Sequence, residues 1–478
     1  MSDAKMKSLR DRLAAVGQEH LLRFYGELDA AAQSHLLGQI EALDLDSLPG
    51  LIQTYVTGKP KVAVPDRIDP APYFPVDPNS KRRPWDGVAM RAAGESLLAA
   101  GKVAAFTVAG GQGSRLGFEG PKGMFPAGAV TGKTLFQFFA ESLRAAAKKY
   151  GAVVPWYIMT SPLNHEATVA YFESNGYLGL DRKNVMFFPQ GVMPSFEMGT
   201  GKILLAGKGE IATNPDGHGG SLKALFTSGA IDDMRRRGVE HISYFQVDNP
   251  LVRVVDPVFL GLHAIAAESS GEMSSKMIPK TGPEEKLGVF CSVNGKIEII
   301  EYSDLPRELA EQRLADGGLR FIAGSIAVHV MSVEFVARLN TDRAFSLPYH
   351  RAEKKIPHID MGTGKLVQPE KNNGVKLERF VFDALPLCRR SIVYETSRAE
   401  EFAPIKNATG VDSVESSKAI QTERAARWLE AAGVKVPRRA DGTAECVIEL
   451  SPLTAMEAGD LAGKNLPREI GRGERVAL

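Results

Sequence analysis

The 478-residue chain has little of what marks a disulfide scaffold, a zinc module, a nucleic-acid binder or a membrane protein. Its three cysteines, Cys291, Cys388 and Cys446, are too few and too scattered for a cystine framework or a metal-ligand cluster. They suit a reducing, cytoplasmic setting. Lysine and arginine number 58 against 57 aspartate and glutamate, a formal net charge of +1, so no global basic field is available to bind nucleic acid. The most apolar stretch before residue 120, residues 96–110, is interrupted by Gly101 and Lys102, well short of the roughly 18 residues that cross a bilayer. Met1–Lys7 leads into an amphipathic pattern with no apolar export segment. There is no long internal repeat and no low-complexity tract. The expectation is a cytoplasmic protein with neither nucleic acid nor membrane as partner.

What is present is an ordinary globular composition, 44% hydrophobic and 24% charged, with enough apolar residues for a sizeable core. Residues 1–98 read as an N-terminal helical region: Leu9, Leu13, Val16, then Leu21, Phe24 and Leu28 recur at steps of three to five. Asp29 is predicted to cap a helix carrying Leu36, Leu37, Ile40 and Leu43. Prolines at 60, 65, 70, 72, 75, 78 and 84 make 58–87 largely irregular. With no catalytic cluster, the region reads as a packing or partner-binding appendage. From 99 to 384 strands and helices alternate. Strands are predicted at 103–108, 154–159, 185–188 and 241–247. Between them come a helix opened by Thr134 and Gln137 as a capping box and closed by Gly151, one capped by Asn164, and others over 231–237 and 257–267. That alternation predicts an α/β fold with a doubly wound, mostly parallel, Rossmann-like sheet. Residues 274–303 turn strand-rich, and Asn294-Gly295 marks a hairpin that adds an antiparallel piece. Residues 385–478 form a C-terminal domain of mixed type.

The loop after the 103–108 strand is the most informative segment: Val108-Ala109-Gly110-Gly111-Gln112-Gly113-Ser114-Arg115-Leu116-Gly117-Phe118-Glu119-Gly120-Pro121-Lys122. It lies at the carboxyl end of a parallel strand, where open α/β sheets bind ligands. Its glycines let backbone N–H groups reach phosphate oxygens, Arg115 offers a planar fork and Lys122 a mobile point charge. A dinucleotide fingerprint is disfavoured by spacing, since after Gly111 and Gly113 the third glycine falls at 117, one residue late, and Pro121 intervenes before any helix. A P-loop needs Gly-Lys-Ser/Thr, which is absent here. A glycine loop with internal Arg and Lys suits a nucleoside triphosphate that loses pyrophosphate, because charge on the leaving group must be neutralised as it develops.

Gly110-Gly111-x-Gly113-Ser114-Arg115-Leu116-Gly117-x-x-x-Pro121-Lys122 resembles the signature loop of the uridylyltransferases that make UDP-sugars. More narrowly, the chain resembles the eukaryotic-type UDP-N-acetylhexosamine pyrophosphorylases. The likeness continues through 155–161, Phe187-Phe-Pro-Gln-Gly191, Pro215-Asp-Gly-His-Gly-Gly220, Val247-Asp-Asn249, Leu287-Gly-Val289, Glu301-Tyr-Ser303, Asn373-Gly-Val-Lys376, Phe380-Val-Phe-Asp383 and Phe402-Ala-Pro-Ile-Lys-Asn407. It implies a nucleotidyltransferase fold and a direct in-line attack by a sugar 1-phosphate oxygen on the α-phosphorus of UTP, expelling pyrophosphate.

Under that resemblance Arg115, Lys122 and Lys376 serve the phosphates. Gln190 and Gly217 match the uracil contacts, and the backbone of Val108, Ala109, Gly110 and Gly111 lines the nucleotide. Asp248 follows an apolar strand onto the same rim. A carboxylate aimed at phosphate needs an intervening cation, which points to a Mg²⁺ ligand. Gly288, Glu301, Tyr302, Ser325, Phe380 and Phe382 match sugar contacts, and Lys406 would approach the sugar phosphate. Two positions depart from the N-acetylhexosamine pattern, His218 and Ser325, where that family usually carries Asn. The UDP-glucose enzymes have Gly-His-Gly at the first, so His218 is assigned to the sugar. N-acetylglucosamine 1-phosphate is the favoured acceptor, with glucose 1-phosphate or a broad UDP-sugar range as alternatives. Outside the class stand an inactive UDP-sugar-binding regulator and a nicotinamide-dependent oxidoreductase.

Overall fold

Val103–Val108 is an apolar strand because both of its faces are covered: Val103, Ala104, Ala105 and Phe106 are all at most 1% exposed. The computed structural model describes residues 3–58, 67–342 and 347–478, so the prolines at 60 and 65 lie outside the described residues. On one face Val103 and Ala105 pack with Phe136, Phe139, Leu143 and Trp156. On the other the Phe106 ring meets those of Phe188 and Tyr244. The strand runs parallel to His241–Gln246 on one side and to Trp156–Thr160 on the other, and the latter runs parallel to Val185–Pro189. Leu135–Tyr150 carries the predicted capping box between Thr134 and Gln137 and ends on left-handed Gly151 (φ 73°). Pro257–Ile265 begins at Asp256, whose side chain accepts from the N–H groups of Val258 and Phe259.

The parallel block belongs to a ten-stranded sheet whose other strands pair antiparallel, except Val393–Glu395, which runs parallel to Met273–Pro279. His241–Gln246 pairs antiparallel with Ala323–Ser332, which also pairs with Met273–Pro279 and Val289–Val293. The antiparallel part is thus larger than the single hairpin marked in the sequence. That hairpin is present, joining Val289–Val293 to Lys296–Ile300 through Asn294 (φ 50°) and Gly295 (φ 78°). Two successive positive φ values give the turn the twist that matches its strands.

Two compact units emerge, each discontinuous in the chain, whereas divisions at 98/99 and 384/385 are cuts along it. The smaller unit comprises Met1–Ala63, Gly191–Ser221 and Ser346–Val381. Its core joins Leu13, Leu36 and Ile40 to Phe196, Ile211 and Leu377, so the amino-terminal helices bury their apolar stripes against strands far away in sequence. Asp29 caps Ala30–Glu41 by accepting from the Ala32 N–H at 2.8 Å. The larger unit comprises Val64–Gln190, Leu222–Phe345 and Phe382–Leu478 and contains the ten-stranded sheet. Its carboxyl-terminal part holds an 18-residue helix, Val414–Ala431. Among the described residues no helix is long and apolar enough to cross a membrane.

Candidate active site

The glycine loop is a tight double crossing of the backbone. Gly113 N–H donates to Gly120 O at 2.9 Å and Lys122 N–H to Gly111 O at 3.0 Å, closing the loop around a single 3₁₀ turn at Ser114–Leu116. A Cβ on Gly113 would lie 2.6 Å from the Phe118 ring, so glycine is obligatory where the strands of the loop touch. Within the loop the N–H groups of Gly110, Gly111 and Gln112 have no protein acceptor among the described residues. Arg115 is exposed beside them and makes no ion pair or hydrogen bond among the described residues. A Cβ on Gly110 would approach Gln190 Oε1 to 3.1 Å, which places the buried Gln190 amide directly against the loop.

Lys122 and Asp248 face each other across 3.9 Å, each side chain 15% exposed. Burial pulls the Lys122 ammonium below its ordinary pKa; Asp248 opposes this, while Lys406 and Arg115 add to it. Three cations and one carboxylate therefore converge at the carboxyl end of the parallel strands. Asp248, Lys406 and Ser325 also line one cavity, with Gln246, Leu287 and Phe402. Ser325 donates its N–H to Gly288 O at 2.8 Å. Two residues on, Ala327 sits at φ 54° where the pairing with Met273–Pro279 slips register, and this bulge turns residues 326–328 into the cavity wall. A Cβ on Gly288 would lie 3.2 Å from Glu301 Oε1, so the absence of a side chain leaves room for that carboxylate. Tyr302 is 47% exposed and Phe382 is buried.

The structure thus brings Val108–Gly111, Arg115, Lys122, Gln190, Asp248, Gly288, Glu301, Ser325 and Lys406 into the larger unit, along with Tyr302 and Phe382. Gly217, His218, Lys376 and Phe380 belong to the smaller one. There Gly217 (φ 83°) packs so closely on residue 379 that a Cβ would meet Arg379 O at 2.4 Å. His218 stacks on Phe380, ring centroids 5.0 Å apart, and its Nδ1 accepts the Val381 N–H at 3.1 Å. Burial, with His350 adding to it, pushes the His218 pKa down to about 4, so the ring is neutral near pH 7. Lys376 lies half-buried on the strand Gly374–Glu378, opposite Ala352.

Several residues around the site escaped the sequence reading. Asn164 is not the side-chain cap it was expected to be: it makes no capping bond and instead donates Nδ2 to Ala109 O at 3.0 Å and Gly111 O at 3.2 Å. Asn249 fastens the strand end to the segment that bears Lys406, donating to Glu401 O at 2.7 Å and accepting from Ala403 N–H at 3.1 Å. Behind it, fully buried Lys276 binds Asp256 at 2.7 Å and both oxygens of Glu401 at 2.6 and 2.7 Å. Only Asn164 carried a signal, as a polar residue at a strand-to-helix turn.

A sequence model of the family described as UTP–glucose-1-phosphate uridylyltransferase matches residues 76–431. The human protein named UDP-N-acetylhexosamine pyrophosphorylase-like protein 1 is 35% identical over 483 residues, covering 95% of this chain and 93% of that one. The UDP-N-acetylglucosamine pyrophosphorylase of Saccharomyces cerevisiae is 38% identical over 352 residues, covering 72% and 73%. Among solved structures, the Trypanosoma brucei UDP-N-acetylglucosamine pyrophosphorylase, crystallised with an inhibitor, superposes with a TM-score of 0.78 at 26% identity, covering 100% and 98%. A Leishmania major UDP-glucose pyrophosphorylase shares the fold, with a TM-score of 0.58 at 14% identity over 91% of this chain and 87% of that one.

Proposed function

We propose, from the premise that the chain belongs to the UTP–glucose-1-phosphate uridylyltransferase family, that it converts UTP and N-acetylglucosamine 1-phosphate to UDP-N-acetylglucosamine and pyrophosphate. The observation that carries this is one loop presenting three open backbone amides together with Arg115 and Lys122, beside the Asp248 carboxylate. The relatives and solved structures named for N-acetylhexosamine or N-acetylglucosamine match at 26–38% identity, whereas the UDP-glucose enzyme from Leishmania resembles this chain at 14%.

A phosphate oxygen of the sugar 1-phosphate attacks the α-phosphorus of UTP; a new P–O bond forms as the bond to pyrophosphate breaks, with no covalent protein intermediate. The chain's task is to align two polyanions and cancel their repulsion. The Gly110–Gln112 amides, Arg115 and Lys122 hold the triphosphate and meet the charge that builds on departing pyrophosphate. The Gln190 amide, able both to donate and to accept, reads the uracil edge. Lys406 takes the sugar phosphate, with Gly288, Glu301, Tyr302, Ser325 and Phe382 around the sugar. The resemblance adds Lys376 for phosphate, Gly217 for uracil, and His218 and Phe380 for the sugar.

No group of three or more His, Cys, Asp or Glu side chains among the described residues is placed to enclose a metal ion. A single carboxylate beside phosphate-binding cations still fits Mg²⁺, which takes its remaining ligands from phosphate oxygens and water. Asp248 is the residue that would hold it. When bound, the ion supplies positive charge to the triphosphate.

Glucose 1-phosphate is kept as a second acceptor because His218 and Ser325 stand where the N-acetylhexosamine enzymes usually carry Asn. Pyrophosphate release with UTP and a panel of sugar 1-phosphates decides between them. Highest kcat/KM with N-acetylglucosamine 1-phosphate is expected. Preference for glucose 1-phosphate would select the second acceptor, and no release with any sugar would leave a UDP-sugar-binding protein.

A further inference from the structure

We infer that Asn164 is the positioning residue of the phosphate-binding loop, the side chain that turns its amides toward the nucleotide; this rests on the uridylyltransferase function proposed above. Asn164 is 1% exposed and stands at the turn between the strand Trp156–Thr160 and the helix His165–Ser174. Its Oδ1 accepts the Ser161 N–H at 2.8 Å, which fixes the amide plane and leaves both Nδ2 hydrogens for the loop. These go to Ala109 O and Gly111 O, two carbonyls two residues apart.

The consequence follows from peptide geometry. In a trans peptide the carbonyl of one residue and the N–H of the next point in opposite directions. Drawing the Ala109 and Gly111 carbonyls toward a buried side chain therefore drives the Gly110 and Gln112 N–H groups the other way. That other way is the open one, since Gly111 and Gln112 are exposed. Those same N–H groups have no protein acceptor among the described residues. In an ordinary turn a glycine segment re-orients its peptides readily, so amides facing open solvent need not keep one direction. Here the orientation is held by Asn164, and the result is an anion-binding concavity of backbone amides formed before the ligand arrives. Holding it in advance spares the ordering that UTP would otherwise have to impose.

Asn164→Asp keeps shape and the acceptor for Ser161 but turns two donors into lone pairs facing carbonyl oxygens. Asn164→Ala removes the donors without that repulsion. The test is UTP and uridine binding by titration calorimetry on the full chain, with KM for each substrate. Affinity for UTP is expected to fall by about tenfold or more in both variants, as for losing hydrogen bonds that orient groups toward a charged ligand. Uridine affinity and KM for the sugar 1-phosphate should stay near wild type, a split that a merely structural residue would not produce. Wild-type UTP affinity in either folded variant would overturn the inference, as would loss of the folded state in both, which would make the residue structural first. A wild-type protein that binds UTP but releases no pyrophosphate would remove the proposed reaction and leave the role of Asn164 in loop geometry still decided by the UTP titration.

Discussion

Arg115 and Lys122 differ in how the protein holds them, and the difference bears on what each does. Arg115 is exposed and makes no ion pair or hydrogen bond among the described residues; Lys122 is mostly buried opposite Asp248 with a pKa below that of an ordinary lysine. A phosphate bound beside Lys122 would favour its charged form and add to what Asp248 already does against the cost of burial. Arg115→Ala and Lys122→Ala are each expected to lower kcat by about 100-fold or more, as for other losses of charge stabilisation at a reacting centre. Steady-state kinetics on folded variants checks this, and near-full activity in either would remove that residue from the phosphate site. His218 presents a different case. Asn can still accept the Val381 N–H, so His218→Asn should preserve the fold while changing the group that we propose faces the sugar. It should alter the ratio of kcat/KM for N-acetylglucosamine and glucose 1-phosphates while leaving KM for UTP nearly unchanged; identical acceptor profiles would take His218 out of the sugar site.

The helix and strand borders that came directly from sequence are those with a local chemical cause. Val103–Val108 is an unbroken apolar run, Thr134 and Gln137 form a capping box, and Asn294-Gly295 can take the two positive φ values of a tight hairpin. The Val414–Ala431 helix opens on a capping box of Ser413 and Ser416, but its buried stripe is mostly small or polar, Ser417, Gln421, Thr422, Ala425 and Ala426, with Trp428 and Leu429 near its end, so the apolar period is weak. Besides packing Trp428 and Leu429 against Ile448 and Leu461, it is held by long-range hydrogen bonds, Ser417 Oγ to Ala403 O at 2.7 Å and Gln421 Nε2 to Ala127 O at 3.0 Å. The buried ion cluster was equally silent, since Asp256, Lys276 and Glu401 are far apart in sequence and meet only in the fold. Burial works against the Asp256 carboxylate, but Lys276 and Arg253 outweigh it and hold its pKa down to about 2. Lowered below its unfolded value, that group stabilises the protein above roughly pH 4 and loses the contribution as pH falls toward 2. Lys276→Met strands two carboxylates in the core and is expected to cost about 3–5 kcal/mol at pH 7. In urea titrations the penalty should shrink toward pH 3, as the charge contribution that Asp256 draws from Lys276 is lost. A penalty independent of pH would mean that packing, not charge, is what Lys276 supplies.

Across the molecule, near-neutral net charge coexists with a local concentration of cations, so affinity for a polyanion comes from placement rather than from a general field. Lys122, Arg115 and Lys406 reach one rim because parallel strands end together there, each followed by a loop. The residues proposed for the site in the larger unit stand out in the sequence because they cluster in short motifs. The carbonyls that Asn164 and Asn249 bind could not be read in the same way, because hydrogen bonds to distant backbone groups leave no periodicity behind, and only the place of Asn164 at a strand-to-helix turn marked it. Both units are discontinuous for a related reason: the strands that complete the smaller core arrive from 191–221 and 346–381, and no break in composition announces them. The most direct measurement is a structure of the chain with UTP and Mg²⁺. The triphosphate should lie on the Gly110–Gln112 amides, with Arg115 and Lys122 about 2.7–3.2 Å from its oxygens and Asp248 on the metal. Nucleotide bound elsewhere, with this loop left bare, would contradict the assignment of the protein as a uridylyltransferase working through it.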